Sequence, residues 1–374
     1  MAQRIAVFMP SWVGDAVMAT PTLRALALSG TSTESLQSPS SDDSMVHAYQ
    51  PQPTLIGVMQ PVVAEVLAGN RWLTQQIVFS KRSWAKRVAL VRQLRAARLD
   101  TIVLLTNSWW TAVVAYLAGI PQRVGYARDG RSWLLTDRLP TLRRNGQYQA
   151  VAAIDYYLQL AELLGADTRD RTMELSVSAS DVRLAEQLWQ QLGLLPSQAT
   201  VVINSSGVWG TAKLWPADHV EQLARRIVEH HPWQVLLHCG PAERDAANAV
   251  ASRLDHPRVK SMGRADQLPI GLTKAVLARA AVVVSTDSGP RHIAVALNRP
   301  VVSLFGPTDP RWTQTYNVPE IELGLNLPCR GCWEKKCPLQ HNRCMRDLGM
   351  EMVYGSVVQA MHQRSCGWGI GQAA

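Results

Sequence analysis

Long apolar runs and phenylalanine are both scarce in this 374-residue sequence, which has only three Phe. No run reaches the ~18–20 consecutive apolar residues that a transmembrane helix needs. The nearest approach, Trp109–Ile120, is only about three turns long. The first apolar run, Ile5–Met9, ends at Pro10 and is followed by Asp15, which is unlike a signal peptide. We therefore expect a protein of the reducing cytoplasm.

Cysteine is also sparse, since six cysteines are too few for a disulfide framework in a chain of this length. Charged residues make up 18% and hydrophobic residues 47%, which excludes a chain that is disordered overall. The 38 Lys and Arg outnumber the 29 Asp and Glu, so the formal net charge is +9. This excess favours an anionic partner, which could be nucleic acid, a phospholipid surface or a phosphorylated substrate.

The order of the predicted elements indicates an α/β protein with two Rossmann-like domains. Continuous Val/Ile/Leu strands alternate with helices in both halves, which is typical of parallel sheets covered on both faces. We place the domain boundary between residues 177 and 178. Residues 29–53 are dominated by Ser, Thr, Pro, Gln and Asp, and they indicate a disordered insertion. Ligands bind beyond the carboxyl ends of the strands in such sheets, so the loops that follow strands are the candidate sites.

The loop after the first strand contains Trp12, Gly14 and Asp15. Gly14 permits a tight turn or a close backbone approach. Asp15 has two interpretations: it is a carboxylate base, or it caps the next helix and stabilises it by about 1 kcal/mol. The loop has no Gly-x-Gly-x-x-Gly pattern, which disfavours a dinucleotide cofactor.

Two loops in the second half are suited to binding a phosphate. Residues 204–213 offer backbone N–H groups and hydroxyls and end at Lys213, although they do not form a Walker A motif; an ordinary polar loop is the alternative. Residues 286–289 lie where a buried strand leads into a helix N-terminus, which favours an anion. Asp287 would repel a phosphate, so we expect it to cap the helix or bind a sugar hydroxyl. His292 either reaches the same ligand or is structural.

Taken in order, five motifs resemble the glycosyltransferase family that contains the bacterial lipopolysaccharide heptosyltransferases, glycosyltransferase family 9, and particularly its heptosyltransferase II type. The resemblance covers nearly the whole chain apart from residues 29–53. The motifs are Pro10-Ser-Trp-Val-Gly-Asp15, Ala118-Gly-Ile-Pro-Gln-Arg-Val-Gly-Tyr126, Ala212-Lys-Leu-Trp-Pro216, Thr286-Asp-Ser-Gly-Pro-Arg-His292 and Arg299-Pro-Val-Val-Ser-Leu-Phe-Gly-Pro-Thr-Asp-Pro310.

The resemblance implies a GT-B fold, with two Rossmann-like domains facing each other across a cleft. Residues 1–177 would bind the acceptor, and residues 178–348 would bind the nucleotide sugar. Residues 349–374, a C-terminal helix and tail, would pack back on the first domain. The implied reaction transfers L-glycero-D-manno-heptose from ADP-heptose to the inner core on lipid A, with inversion.

The resemblance also implies roles for individual residues. Asp15 matches the catalytic base, and Lys213 matches the lysine on the donor phosphates. Arg291, which departs from the usual family residue, either favours the diphosphate or faces solvent. No Asp-x-Asp metal motif is seen in the three loops, so we expect no catalytic metal. The implied substrate-binding residues are Trp12, Gly14, Ser205, Ser206, Gly210, Thr211, Glu243, Leu268, Thr286, Asp287, Ser288, Gly289 and His292.

Two features lie outside these motifs. Cys329, Cys332, Cys337 and Cys344 form C-x2-C-x4-C-x6-C beside His341, which indicates structural zinc, an iron–sulfur cluster or simply reduced thiols. A helix within residues 81–98 carries seven basic residues and no acid. It either binds an anionic acceptor or headgroup layer, or is a solvated face.

Three classes of function therefore remain to be compared. The first is the heptosyltransferase, acting in the cytoplasm with peripheral contact at the inner face of the inner membrane, or a relative that uses another nucleotide sugar or acceptor. The second is a non-catalytic nucleotide- or glycan-binding module of the same fold. The third, a nucleic-acid-binding protein, is disfavoured because the sequence has no aromatic-interleaved RNA motif or zinc finger.

Overall fold

The computed structural model describes residues 2–29, 52–80, 83–144, 146–205, 207 and 209–365. The chain divides into two compact units, Met1–Thr172 and Met173–Ala374, so the division lies five residues before the predicted boundary. Residues 30–51, most of the predicted insertion, and the candidate residue Ser206 lie outside the described residues.

The first unit is built on one parallel six-stranded sheet in the order β3-β2-β1-β4-β5-β6. Its strands, with the short antiparallel ribbon that follows them, are β1 Arg4–Phe8, β2 Thr54–Met59, β3 Gln75–Val78, β4 Thr101–Leu104, β5 Gln122–Ala127, β6 Asp137–Pro140, β7 Arg143–Arg144 and β8 Gln147–Tyr148. Its helices are α1 Val13–Met18, α2 Thr20–Leu28, α3 Pro61–Val66, α4 Trp84–Ala96, α5 Trp109–Leu117 and α6 Ala153–Glu162.

The second unit repeats this topology with a parallel sheet in the order β11-β10-β9-β12-β13-β14. Its strands are β9 Thr200–Asn204, β10 Gln234–Leu237, β11 Val259–Ser261, β12 Val282–Thr286, β13 Val301–Leu304 and β14 Glu320–Leu323. Its helices are α7 Ala179–Leu192, α8 Ala217–His230, α9 Arg244–Leu254, α10 Ile270–Arg279, α11 Gly289–Ala296, α12 Arg343–Arg346 and α13 Met350–Ser365.

The strand order confirms the predicted pair of Rossmann-like α/β units. In both sheets the first strand lies at the centre. The second and third strands are added on one side of it and the fourth to sixth on the other, which is the doubly wound order. The central strands β9, β12 and β13 are buried along their whole length. Each sheet therefore presents its loops at a carboxyl edge beside a topological switch point.

The first unit has a break between α1 and α2 and an exposed ring on α4. The break lies at Ala19, because Pro21 has no N–H with which to continue α1. In α4 the Trp84 ring is 75% exposed, and the buried residues are Leu90 and Leu94.

The C-terminal helix α13 is part of the core of the second unit, where it packs against α8 and β13. The contact of residues 349–374 with the first domain, which the resemblance implied, stays a prediction. Val353, Val357 and Ala360 are buried in the core of that unit. Their spacing of four and three residues forms one apolar stripe, which accounts for the packing.

Among the described residues, no helix combines the length and the hydropathy that are needed to span a membrane.

Candidate active site

Asp15 lies in the first turn of α1, just beyond the carboxyl end of the central strand β1. The N-cap of this helix is Trp12, without a side-chain capping bond, so the capping interpretation of Asp15 is wrong. The Tyr157 hydroxyl instead donates to Asp15 Oδ1 over 3.2 Å. Burial and the neighbouring Asp15 raise the pKa of Tyr157 well above its usual range, so this donor keeps its proton. The half-buried Asp15 carboxylate is thus held by a neutral donor from α6.

Sequence reasoning missed the polar groups that fix the rest of this edge. Arg131 is fully buried and donates to the backbone oxygens of Thr106 and Tyr126, over 2.6 and 3.1 Å. Burial lowers the pKa of Arg131 to about 10. Tyr156 stacks on Tyr126 with ring centroids 3.7 Å apart. Adjacent tyrosines in α6 and an arginine between two apolar segments were the available signals, but neither pattern specifies a partner.

Lys213 and Asp287 form the centre of the candidate site in the second unit. Lys213 belongs to the 3-10 turn Thr211–Lys213, and its Nζ donates to the Asp287 backbone oxygen over 2.7 Å. The same Nζ lies 3.2 Å from Asp287 Oδ2 and 4.8 Å from the centre of the Trp209 ring. Asp287 directly follows β12 and precedes Ser288, the N-cap of α11. The lysine ammonium is therefore anchored beside a helix N-terminus at the carboxyl edge of the sheet.

Arg291 overturns both interpretations offered for it. Its guanidinium is fully buried and binds both carboxylate oxygens of Glu320, over 2.6 and 3.1 Å. Its Nη1 lies 3.3 Å from Asp287 Oδ1. Arg291 therefore faces neither solvent nor an open diphosphate pocket. It is the internal counter-charge of two buried acids.

Asp287 departs from one of its two predicted roles, that of helix cap. Burial alone would raise its pKa, but Lys213 and Arg291 outweigh that effect and hold the pKa far below its usual range. The α11 N-cap is Ser288, without a side-chain capping bond. In this structure the ionised Asp287 carboxylate binds the two cations, and its contact with substrate stays a prediction.

A second polar cluster lies at the ends of β9, β10 and β12. Asn204 Nδ2 donates to the hydroxyls of Ser285 and Ser288, each over 3.0 Å. Asn204 Oδ1 lies 3.1 Å from His238 Nδ1, and His238 Nε2 lies 3.2 Å from the Thr273 hydroxyl. This network positions Ser288, one of the predicted substrate-binding residues. Asn204 and His238 themselves were not predicted as site residues.

Gly14 lies in the first turn of α1, and the other described candidates of the second unit lie on the carboxyl edge of its sheet. Gly210 is required for packing, because a Cβ there would lie 2.5 Å from the Lys335 backbone oxygen. Glu243 follows β10, and its Oε2 accepts from the Gly240 N–H over 2.9 Å. Leu268 is half-buried in the loop that leads to α10. The others are Ser205, half-buried after β9, Thr211, exposed in the 3-10 turn, and Gly289, the first residue of α11.

Two buried histidines of this unit predict how its stability depends on pH. Burial lowers the pKa of His238 to about 4, while burial and Arg291 lower that of His292 to about 3. In an unfolded chain both would titrate near ~6.5, so below that pH the unfolded state binds more protons than the folded one. The free energy of unfolding should therefore be constant above pH 6.5 with respect to these groups, and fall between pH 6.5 and about 3.

Urea unfolding at pH 7, 6 and 5 measures this effect. His238→Asn should flatten the pH dependence, whereas His230→Gln, at an exposed position, should leave it unchanged. Unfolding that is insensitive to pH over this window would contradict the prediction.

Comparison with known proteins identifies the family. The family model described as Glycosyltransferase family 9 (heptosyltransferase) matches residues 87–342, which is more than half of the chain. The chain belongs to glycosyltransferase family 9. Lipopolysaccharide heptosyltransferase 2 of Escherichia coli strain K12 is 26% identical over 320 residues, which cover 83% of this chain and 84% of that protein.

Solved structures extend the family 9 likeness to the whole fold. E. coli ADP-heptose LPS heptosyltransferase II has a TM-score of 0.76 at 22% identity, covering 97% of this chain and 100% of that one. The family 9 glycosyltransferase of Veillonella parvula DSM 2008 has a TM-score of 0.81 at 18% identity, covering 96% and 98%. The family and the GT-B fold class predicted from the five motifs are confirmed.

The cysteine cluster adjoins the 3-10 turn Thr211–Lys213, which carries Lys213. Cys329, Cys332, Cys337 and Cys344 line one cavity of about 30 Å³ together with His341. Ala212, next to Lys213, also lines it and donates its N–H to the Lys335 backbone oxygen over 3.0 Å. No set of three or more His, Cys, Asp or Glu side chains in the described ranges is already arranged to hold a metal ion. The zinc hypothesis therefore stays a prediction.

Elemental analysis tests that hypothesis. If the thiols hold zinc, protein purified without chelator should contain about one Zn per chain, because four cysteines complete a tetrahedral site. Cys332→Ser should lose the metal, while Cys239→Ser, a buried thiol outside the cluster, should keep it. A folded wild-type protein without metal would reject zinc in favour of reduced thiols.

Proposed function

We propose that this chain is an inverting heptosyltransferase, which transfers L-glycero-D-manno-heptose from ADP-heptose to the inner core of lipopolysaccharide. The observation that carries the proposal is the position of Lys213 Nζ, 2.7 Å from the Asp287 backbone oxygen and directly before the first turn of α11. A fixed ammonium and a helix N-terminus at one place suit a diphosphate. Membership of family 9 and the ADP-heptose specificity in the name of the E. coli structure support this donor.

The donor half of the reaction follows from electrostatics. Cleavage of a sugar–diphosphate bond leaves negative charge on the departing nucleotide, so groups that bind this charge lower the barrier. Asp287 accepts from Lys213 at two oxygens, and an ammonium has three N–H donors, so one remains for a phosphate oxygen. The first N–H groups of α11, at Ser288 and Gly289, would supply further donors.

The acceptor half needs one base. We propose that Asp15 removes the proton of the acceptor hydroxyl as its oxygen attacks the anomeric carbon. A single displacement inverts that carbon and requires no covalent intermediate, unlike retaining glycosidases, which use a second carboxylate as nucleophile. Asp15 and Lys213 thus carry separate tasks, without a catalytic metal.

The acceptor also suggests where the reaction occurs. We propose that the chain acts in the cytoplasm at the inner face of the inner membrane, because an inner core built on lipid A is anchored there by its acyl chains. The proposed partners are ADP-heptose, this acceptor and the membrane surface, with no nucleic acid.

A donor screen tests this function. ADP-heptose, ADP-glucose and UDP-sugars are compared by nucleotide release, with and without a lipopolysaccharide core acceptor. We expect release to require both ADP-heptose and acceptor, and Lys213→Met to lower kcat/KM by about 10²-fold, as expected for loss of one charge-stabilising donor. Arg183→Gln, at an exposed position on α7, is the control.

Each outcome of the screen distinguishes the hypotheses. Faster turnover with another nucleotide sugar would assign the chain to a different donor within the family. Donor binding without turnover would favour the non-catalytic module. Full activity of Lys213→Met would remove Lys213 from the mechanism.

A further inference from the structure

The first unit exposes a contiguous group of large apolar side chains on and beside α5. The exposed fractions are 47% for Trp109, 49% for Tyr116 and 64% for Trp133. The Trp133 ring lies 6.3 Å from Trp109 and 6.2 Å from Tyr116, measured between centroids. Leu117, also exposed, extends the group. We call Trp109, Tyr116, Leu117 and Trp133 the aromatic face.

The backbone fixes this exposure. The opposite side of α5 carries Val114 and its C-cap Ala118, which are buried in the core of the first unit, so Trp109 and Tyr116 point away from it. Trp133 belongs to the 3-10 turn Ser132–Leu134. Leu134 in this turn and Arg131 just before it are both buried, and they hold the turn in place. The fold therefore holds the aromatic face at the surface. Contiguous exposed apolar patches mark sites of interaction with a partner or a membrane.

Basic side chains border the aromatic face directly. Arg95 of α4 donates through Nη2 and Nε to the Leu117 backbone oxygen, over 2.6 and 3.1 Å. The Arg123 guanidinium lies 5.6 Å from the centre of the Tyr116 ring. Arg92, on the same helix as Arg95, is exposed. Residues 81–128 contain nine Lys and Arg and a single acid, Asp100.

This combination selects among partners. Tryptophan and tyrosine with flanking arginines are typical of a surface that meets lipid headgroups, where rings sit among the glycerol groups and cations meet phosphates. Single-stranded nucleic acid also uses aromatics and arginine, but it needs open ring faces for stacking. Here the rings meet edge to face, at 63° and 66°, and an aliphatic Leu117 lies among them.

The position of the face is consistent with a membrane-bound substrate. Trp109 follows β4, the sheet neighbour of β1, whose carboxyl end leads to Asp15. We propose that the aromatic face, together with the basic side of α4, docks the first unit on an anionic phospholipid bilayer. This surface deepens the proposed function by naming where the membrane is met, but lipid binding is measured without donor or acceptor, so the two proposals can fail separately.

Vesicle sedimentation tests the docking surface on the full chain. We expect binding to phosphatidylcholine vesicles that contain 30% phosphatidylglycerol, and much weaker binding to phosphatidylcholine alone. Arg92→Gln/Arg95→Gln should weaken binding to the anionic vesicles by roughly 10- to 30-fold, at about 1 kcal/mol for each basic residue. Tyr116→Ser/Trp133→Ser should weaken it by about tenfold or more, since both large rings leave the interface.

Matched controls separate the face from general charge and hydrophobicity. Arg183→Gln/Arg264→Gln removes two exposed charges from the second unit, and Trp333→Ser removes an exposed ring there. Both should bind anionic vesicles as the wild type does. Circular dichroism and ADP release with a water-soluble core acceptor show whether Tyr116→Ser/Trp133→Ser remains folded.

Four results would overturn the proposal. Absence of sedimentation with anionic vesicles would exclude a bilayer as the partner. Unaltered binding by both face variants would place lipid binding elsewhere on the chain. Self-association of the wild type that is lost in Tyr116→Ser/Trp133→Ser, without vesicle binding, would assign the face to a second copy of the chain. Tight binding of a single-stranded oligonucleotide in place of vesicles would assign it to nucleic acid.

Discussion

Replacing Asp15 with asparagine is expected to lower kcat by about 10²–10⁴-fold while the protein remains folded. The amide cannot accept a proton from the acceptor hydroxyl, so the proposed general base is lost. Asparagine has nearly the same shape, and its Oδ1 can still accept from the Tyr157 hydroxyl, as the aspartate does over 3.2 Å. Initial rates of ADP release, compared with circular dichroism and thermal melting, separate lost chemistry from lost structure.

Two further variants serve as a control and as a test of how Asp15 is positioned. Glu65→Gln removes an exposed acid from α3 of the same unit and should leave the rate unchanged. Tyr157→Phe removes the donor that orients Asp15, so kcat should fall by about tenfold, far less than with Asp15→Asn. Near-wild-type turnover of Asp15→Asn would exclude Asp15 as the base and leave it a structural partner of Tyr157.

The sequence predicted the centre of each sheet better than its edges. The strands β1, β2, β9 and β12 are buried on both faces, and their continuous apolar runs made them recognisable. The edge strands β3, β6 and β14 are largely half-exposed and contain Gln, Asp, Arg or Glu, so they lack that signal. These edge strands form because the folded sheet places another strand beside them, which their own sequence does not reveal.

The candidate site shows the same division between local and distant information. Asp15 and Lys213 are recognisable because each follows a strand in a short motif. Glu320 was missed because its partner Arg291 is 29 residues away, and Tyr157 because Asp15 is 142 residues away. A buried ion pair has no periodicity, and only the folded sheet brings its members together.

The structure shows that little of the net charge of +9 comes from the buried cluster around Asp287. Lys213 and Arg291 were expected to contribute to an open anion site, but each contacts Asp287, and Arg291 also binds Glu320. Two cations and two carboxylates leave this buried cluster formally neutral. Much of the excess positive charge therefore lies elsewhere, and residues 81–128 carry a large share of it.

Replacing Arg291 with methionine is expected to destabilise the second unit by about 3–5 kcal/mol, because a buried carboxylate is left without its counter-charge. Methionine fills much of the same volume, so the loss reports mainly charge and hydrogen bonding. Asp287 still has Lys213, 3.2 Å away, whereas the partners that Glu320 keeps among the described residues are the hydroxyls of Ser303 and Thr315. The uncompensated charge should therefore be that of Glu320.

The double variant Arg291→Met/Glu320→Gln tests that assignment in a double-mutant cycle. Removing both charges should recover a large part of the stability lost in Arg291→Met, as measured by urea unfolding at pH 7. The deficit of Arg291→Met should also shrink as the pH falls, because a protonated Glu320 no longer needs a cation. Arg291→Lys keeps the charge but not the two-pronged contact, so it should raise the donor KM by loosening Asp287 and, through it, Lys213. If the double variant were no more stable than Arg291→Met, Glu320 would not be the destabilising charge. An unchanged donor KM in Arg291→Lys would show that the position of Lys213 does not depend on this pair.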